Sequence, residues 1–262
     1  MTTVADLCVL MQGLCDPVGA CYAVQGVRSA EESAALARDE DELLQRTEQR
    51  DCATFRSFKR RAEFCAGRLA AKHALAQAPL RVSASEFELT RDALGAPRLS
   101  ALVHRHTGAT VGDRELEASA QSLAARTHVS ISHSNGFAVA VAAPWRVGVD
   151  LELIDTRPNA LVRYFFCPAE QRLLGQFHGN ALQVAINRLW TRKESACKLL
   201  GRGARIALRD IDTSQSETQV GAHVMRWRTA VFGGFAASIA FPPDAFRAVS
   251  KDVVLQPRKW NS

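Results

Sequence analysis

No Cys-x-x-Cys pair occurs in this sequence. Its seven cysteines (Cys8, Cys15, Cys21, Cys52, Cys65, Cys167 and Cys197) are odd in number, and their spacings fit neither a zinc site nor a disulfide framework. They are expected to be reduced, mostly buried thiols of a cytoplasmic protein. Tyrosine is scarce, with two residues, and no stretch interleaves aromatic and basic residues as single-strand RNA binders do. Nucleic acid is therefore not an expected partner. No apolar run approaches the roughly 20 residues that span a bilayer, so no membrane partner is expected. Residues 1–24 are fairly apolar but lack a basic start and carry Asp6 and Asp16, which makes them a poor signal peptide. A Gly-x-Ser-x-Gly elbow is also missing, which removes the commonest serine-hydrolase signature.

What is present is ordinary globular material. The chain has 262 residues, 47% of them hydrophobic and 23% charged, enough for one large domain or two small ones. Its formal charge of +6 favours anionic partners; with nucleic acid disfavoured by the scarce tyrosine, these are a phosphate-rich small molecule or an acidic protein surface.

Breakers Pro17, Gly19 and Gly26 mark residues 1–27 as strand or loop. A Ser29-x-x-Glu32 capping box opens one or two helices over 29–50. A basic helix, Lys59-Arg60-Arg61 near its start, runs from Thr54 to Gln77, with Gly67 inside it either for close packing or for a ligand beside Arg68. Glu86–Thr90 reads as a strand and Gly95-Ala96-Pro97 as a turn. Residues 100–127 are polar and mixed, with a short helix expected over Asp113–Ala125. His104 and His106 lack the further ligands of a metal site.

Two alternating segments, Val129–His133 and Phe137–Ala142, flank Asn135-Gly136, a hairpin signature. With a third strand over Val147–Leu153 they predict an antiparallel meander. Helices follow near Asn159–Phe166, from Pro168, and from Ala181 to Leu200, where Gly201 stops the last. Strands are expected near Val224–Thr229 and Phe235–Phe241, and a basic tail (Lys251, Arg258, Lys259) ends the chain. Each half thus has a long basic helix and short strands. This predicts an α+β fold of two similar halves, residues 1–143 and 144–262, with a site at their junction.

On the third strand Asp150 and Glu152 share one face, their backbones roughly 7 Å apart. Two such carboxylates suit Mg²⁺, which takes few protein oxygens and fills its octahedron with water and phosphate; a solvated polar face is the competing reading. In the last helix Trp190, Glu194 and Lys198 recur at i, i+4 and i+8, along one side. A surface ion pair or a metal-and-phosphate site would both use that spacing. Lys193 falls in the apolar stripe, so it is expected to pair with a carboxylate or to snorkel past the core edge. His133 with Ser132 and Ser134 suits phosphate contact.

Taken in order, Ser130-Ile131-Ser132-His133, Gly148-Val149-Asp150-Leu151-Glu152 and Trp190-Thr191-Arg192-Lys193-Glu194-Ser195-Ala196-Cys197-Lys198-Leu199-Leu200-Gly201 resemble the motifs of Sfp-type 4′-phosphopantetheinyl transferases. Those motifs are S-x-S-H, G-[IV]-D-[IVL]-E and W-x-x-K-E-[AS]-x-x-K-x-x-G. Lys59–Arg68 also resembles the basic helix of the enterobactin-type branch. The likeness spans residues 29–99 and 129–241.

The resemblance implies a fold of two α+β halves related by a pseudo-twofold axis. It implies a monomeric enzyme that moves phosphopantetheine from coenzyme A to a serine of an acidic acyl- or peptidyl-carrier protein of fatty-acid, polyketide or nonribosomal-peptide synthesis. Adenosine 3′,5′-bisphosphate would be the product released. Asp150, Glu152 and Glu194 would hold Mg²⁺. Lys198, His133 and Ser132 would contact phosphates. Arg60 and Arg68, with Lys59 or Arg61, would bind the nucleotide end. Glu170 matches a family glutamate that orients metal-bound water or acts as base, a role for which Glu194 is the rival. Where the family often has Gly-Lys-Pro this chain has Gly95-Ala96-Pro97, so Arg98 would take over the basic contact.

Overall fold

Strand β5 (Phe137–Ala143) is nearly continuous apolar sequence, and six of its seven residues are buried. Such a run belongs in a sheet centre covered on both faces. In the computed structural model, which describes residues 2–27, 43–77, 83–102, 121–122, 125–201 and 206–245, β5 lies between β1 (Cys21–Gly26) and β4 (His128–Ser134), antiparallel to both. Alternation divides its side chains between two cores. Val139, Val141 and Ala143 meet helix α1 (Val4–Cys15), while Ala140 and Ala142 meet Ala70, Ala71 and Ala74. Those alanines belong to the long helix α3 (Phe58–Ala76).

The second half repeats this plan. Helices α4 (Asn159–Phe165), α5 (Pro168–Leu174) and α6 (Gly179–Leu200) follow β6 (Gly148–Leu153); β7 (Glu217–Val220), β8 (His223–Phe232) and β9 (Phe235–Phe241) complete a sheet ordered β6-β9-β8-β7. Its first three strands correspond to β1-β5-β4. On β9, Phe235, Ala237, Ile239 and Phe241 join the same core as β5 and α1, while Ala240 packs with Ala196 and Leu199 of α6. One core therefore serves both sheets.

The likeness extends to a buried ion pair. In the first half Lys72 of α3 sits 2.7 Å from Glu48, in the short helix α2 (Arg46–Ala53). In the second, Lys193 of α6 sits 2.7 Å from Glu170 of α5. All four side chains are fully buried. Each glutamate also closes a capping box, accepting from the backbone N–H of Gln45 or Cys167 at 2.8 Å. Each ammonium donates to two carbonyls, those of Leu43 and Phe87 in one half and of Leu208 and Ile211 in the other. A buried ammonium persists only when its protons are all directed at acceptors, and here they are. The expectation of a carboxylate partner for Lys193 holds, and that partner is Glu170.

Three expectations are corrected. Residues 4–15 form α1 rather than strand or loop. Thr3 caps it, accepting from the Asp6 N–H at 3.2 Å, and Asp6 returns a bond to the Thr3 N–H. The strand β3 (Pro97–Leu102) pairs with β2 (Phe87–Arg91), where only polar, mixed chain was expected from residue 100. The meander does not form, because both edges of β5 are taken by β1 and β4. Strand β6 crosses to the other sheet and pairs with β9. The expected helices over 29–42 and 113–120, His104, His106 and the basic tail lie outside the described residues.

Candidate active site

Although β6 leaves the first sheet, it runs beside β4 in the same direction. Hydroxyls replace the missing ladder: Ser130, Ser132 and Ser134 accept from the N–H groups of Val149, Leu151 and Leu153 at 2.9, 3.2 and 3.0 Å. The alternating serines thus join the two sheets where the acidic residues lie. Ser132, expected as a phosphate contact, is 5% exposed and also donates to Asp150 Oδ1 at 2.9 Å. It positions a carboxylate rather than facing a ligand.

From the other side α6 lies against the start of β6. A Cβ at Gly148 would stand 1.8 Å from the Ser195 carbonyl oxygen and 2.7 Å from the Leu199 nitrogen. Only glycine permits that approach. It brings Lys198 Nζ to 3.0 Å from the Val149 carbonyl and 2.7 Å from Asp150 Oδ1. Replacing Gly148 by Ala must push helix and strand apart. The expected result is a loss of at least 2 kcal/mol in stability, read by urea unfolding, with activity falling further than the folded fraction. At Gly67, by contrast, a Cβ would meet Ile131 Cγ2 at 3.0 Å, so that glycine serves close packing of α3 on β4.

Asp150 is 4% exposed. Its Oδ1 takes both Ser132 and Lys198, while its buried Oδ2 has no partner among the described residues. Glu152, next on the same face, is 3.1 Å from Arg157. The Arg157 guanidinium also donates to Asn187 at 3.0 Å and lies 5.2 Å from the Trp190 ring centre. Trp190 in turn packs edge-on against Phe165. Among the described residues no cation lies within ion-pair distance of Glu194; Lys198, one turn on, reaches Asp150 instead. Burial pushes Glu152 above the usual carboxylate range, and Asp150 adds to this while Arg157 opposes it. Burial likewise raises Glu194, reinforced by Asp150 and Glu152 and opposed by Lys198 and Arg157.

In donor chemistry these groups suit a divalent cation, although their ligand oxygens do not all lie within 4.8 Å of one another. The unmet Asp150 Oδ2 and two carboxylates that resist ionising together are what a hard cation with oxygen preference would relieve. A tighter group, Cys167, Glu170 and Asp212, has ligand atoms within 4.8 Å of one another. There the Lys193 ammonium already supplies the positive charge. The expected role of Glu170 at the acidic centre is corrected. Its Oε1 accepts from the Thr213 N–H at 2.8 Å and the Thr213 hydroxyl at 2.5 Å, and its Oε2 holds Cys167 N–H and Lys193. No lone pair is left for metal-bound water or a reacting proton.

Past Lys198 the surface changes sign. A groove is lined by Arg98, His128, Arg146 and Lys198, with Thr127 and Pro97 among its walls and no carboxylate among the described residues. Arg98 is held 3.3 Å from Asp92, so it is only partly available. Burial, then Arg146 and Arg98, lower His128 below its usual value.

The other basic residues expected at the site lie on or beside α3. Lys59 and Arg60 are exposed, with Lys59 3.8 Å from Glu63. Arg61 is exposed and donates to the Phe55 carbonyl at 2.7 Å. His133, half-exposed, approaches Glu63 at 4.0 Å. Arg68 is 3% exposed and stacked 5.0 Å from the Phe64 ring centre, with Nε and Nη1 unpartnered among the described residues. Burial lowers its pKa. Sequence reasoning missed Arg146, Arg157 and the positioning parts played by Gly148, Ser130 and Ser134. The Ser-x-Ser-x-Ser alternation and the glycine opening Gly-Val-Asp-Leu-Glu were legible signals; the two arginines carried none.

Residues 146–239 match the model of the 4′-phosphopantetheinyl transferase superfamily. Over 95 residues the chain is 32% identical to the 4′-phosphopantetheinyl transferase gsp of Aneurinibacillus migulanus. That stretch is 36% of this chain and 40% of the relative's length. Among solved structures, it is similar to a holo-(acyl-carrier-protein) synthase from Bacillus anthracis in complex with coenzyme A. There identity is 26% and the TM-score 0.34, covering 48% of this chain and 93% of the other. The Helicobacter pylori synthase in complex with coenzyme A is 19% identical with a TM-score of 0.33, covering 47% and 97%.

Proposed function

We propose that this chain is a 4′-phosphopantetheinyl transferase that moves phosphopantetheine from coenzyme A to a serine of a carrier protein. The observation that carries this reading is the change of sign at Lys198: three carboxylates, Asp150 buried and Glu152 and Glu194 half-buried, on one side, and a groove whose titratable lining among the described residues is basic on the other. A diphosphate bridging a divalent cation and a cationic groove fits that arrangement, and the motif order and the family match over 146–239 support it.

Asp150, Glu152 and Glu194 would hold the cation, Mg²⁺ by donor chemistry. When bound, it would neutralise phosphate oxygens. Lys198 supplies a fixed positive charge beside that position, held by the Val149 carbonyl and Asp150, so it need not reorganise as charge builds on the diphosphate. The carrier serine oxygen attacks the β-phosphorus, and its bond to the adenylate-side oxygen breaks. Adenosine 3′,5′-bisphosphate leaves, and the serine proton passes to a carboxylate. With Glu170 fully engaged, Glu194 is the remaining candidate for that proton. Arg146 and Arg98 take the place of the lysine missing from Gly95-Ala96-Pro97, and Arg60, Arg68 and His133 serve the nucleotide and phosphates. An acidic carrier protein suits the formal charge of +6.

Incubation with coenzyme A, Mg²⁺ and apo-carrier proteins of the fatty-acid, polyketide and peptide-synthetase types tests this. A phosphopantetheine mass gain on at least one carrier is expected; no gain on any of them overturns the reading. Arg146→Ala should raise the KM for coenzyme A roughly tenfold while leaving kcat near normal, as loss of a ground-state phosphate contact does.

A further inference from the structure

Cys52 in α2 and Cys65 in α3 place their sulfurs 3.0 Å apart. Non-bonded carbons rest at about 3.5–4.0 Å, and sulfur is larger. The two sulfurs are therefore inside contact distance and about 1 Å from bonding distance. We propose that Cys52 and Cys65 are an oxidisable pair that closes a disulfide tying α2 to α3.

Several observations converge on this pair. Cys65 is 3% exposed, packed with Leu44 and Leu69, while Cys52 is half-buried and open to a small oxidant. The other five cysteines are held as thiols: burial raises Cys8, Cys15, Cys21 and Cys167, and pushes Cys197 up to about 11. The pair also brackets the exposed basic segment Lys59-Arg60-Arg61, whose last residue leans back on the Phe55 carbonyl. A cross-link would fasten both ends of that segment in the arrangement it already has.

With hydrogen peroxide as oxidant the step balances. The Cys52 thiolate attacks one peroxide oxygen, the O–O bond breaks, and the departing oxygen takes a proton to leave as water. The resulting sulfenic acid is attacked by Cys65, the S–O bond breaks, a second water leaves, and two thiols have become one disulfide.

Mass mapping of the wild-type chain tests this independently of any transfer activity. Mild peroxide should lower the intact mass by two hydrogens, about 2 Da. A non-reducing tryptic digest should then link the peptide Asp51–Arg56 to Ala62–Arg68, and dithiothreitol should undo the link. Brief trypsin treatment of the folded protein should cut at Lys59, Arg60 and Arg61 several-fold more slowly after oxidation, because the segment can no longer open. Cys52→Ser, a change at the more exposed partner, should lose both effects. Failure of the two peptides to link, or sulfonic acid at Cys52 in their place, overturns the proposal. Linkage without slower cleavage overturns the tie.

Discussion

Replacing Glu194 by Gln should lower transfer roughly a thousandfold while leaving the protein at least as stable as before. Two properties of the residue give these opposite signs. Glu194 is the one carboxylate of the cluster without a cation beside it among the described residues, so it supplies charge that the neighbouring ion pairs do not already spend. The same isolation makes its ionisation costly. Burial raises it first, then Asp150 and Glu152. A carboxyl raised in the folded state favours folding below its unfolded pKa, and that contribution is lost as pH rises through the folded value. Near neutral pH the ionised group therefore weakens the fold, and an amide of the same shape removes the penalty. Melting curves should show the variant equal to or above the parent at pH 7, the gap closing as pH falls through the folded value and gone below about 4. Normal transfer by Glu194→Gln would remove this residue from the reaction. A marked fall in melting temperature at pH 7 would mean that its charge is used structurally.

Lys193→Met should cost about 3–5 kcal/mol of stability, which for a protein of this size is about 10 °C in Tm. The methionine fills the volume but leaves the Glu170 carboxylate at zero exposure with no cation. It also leaves the Leu208 and Ile211 carbonyls without their shared donor. Adding Glu170→Gln should recover part of the loss, since Gln needs no counter-charge, but only part, because its single amide oxygen can accept from Cys167 or from Thr213 and not from both. Lys72→Met should behave alike through Glu48. A Lys193→Met protein that melts like the parent would show that the pair is dispensable.

The lysine also explains a feature of the Trp-x-x-Lys-Glu sequence. Neighbours on the helix, Lys193 and Glu194 point to different places: one locks α6 to α5, the other faces Asp150 and Glu152. The motif therefore carries architecture and chemistry in consecutive residues. The buried Glu48–Lys72 pair repeats the architecture in the first half, with no counterpart there to the carboxylate cluster among the described residues.

Much of this was written in the sequence. Alternation put Val149 and Leu151 in the core and Asp150 and Glu152 on the opposite face, and the structure has them so. The 3.6-residue period put Lys193 inward and Glu194 at the flank of α6. Helix α1 was legible too, in Thr3-x-x-Asp6 and in Leu7, Leu10, Met11 and Leu14, although Gly19 and Gly26 drew the reading toward loop.

Partners were decided by the tertiary structure. Alternation assigns a face to a side chain but says nothing about which strand edge is open, so the position of β6 awaited the knowledge that β1 occupies the far edge of β5. Spacing along a helix brought Glu194 and Lys198 within reach of each other, but the contact of Gly148 with α6 gave Lys198 a closer carboxylate in Asp150. Glu170 looked like a free acid until the fold surrounded it with Lys193, Cys167 and Thr213. In sequence alone a charged residue has only neighbours along its own element. Its counter-charge here comes from segments 20 to 50 positions away, and only packing brings those together.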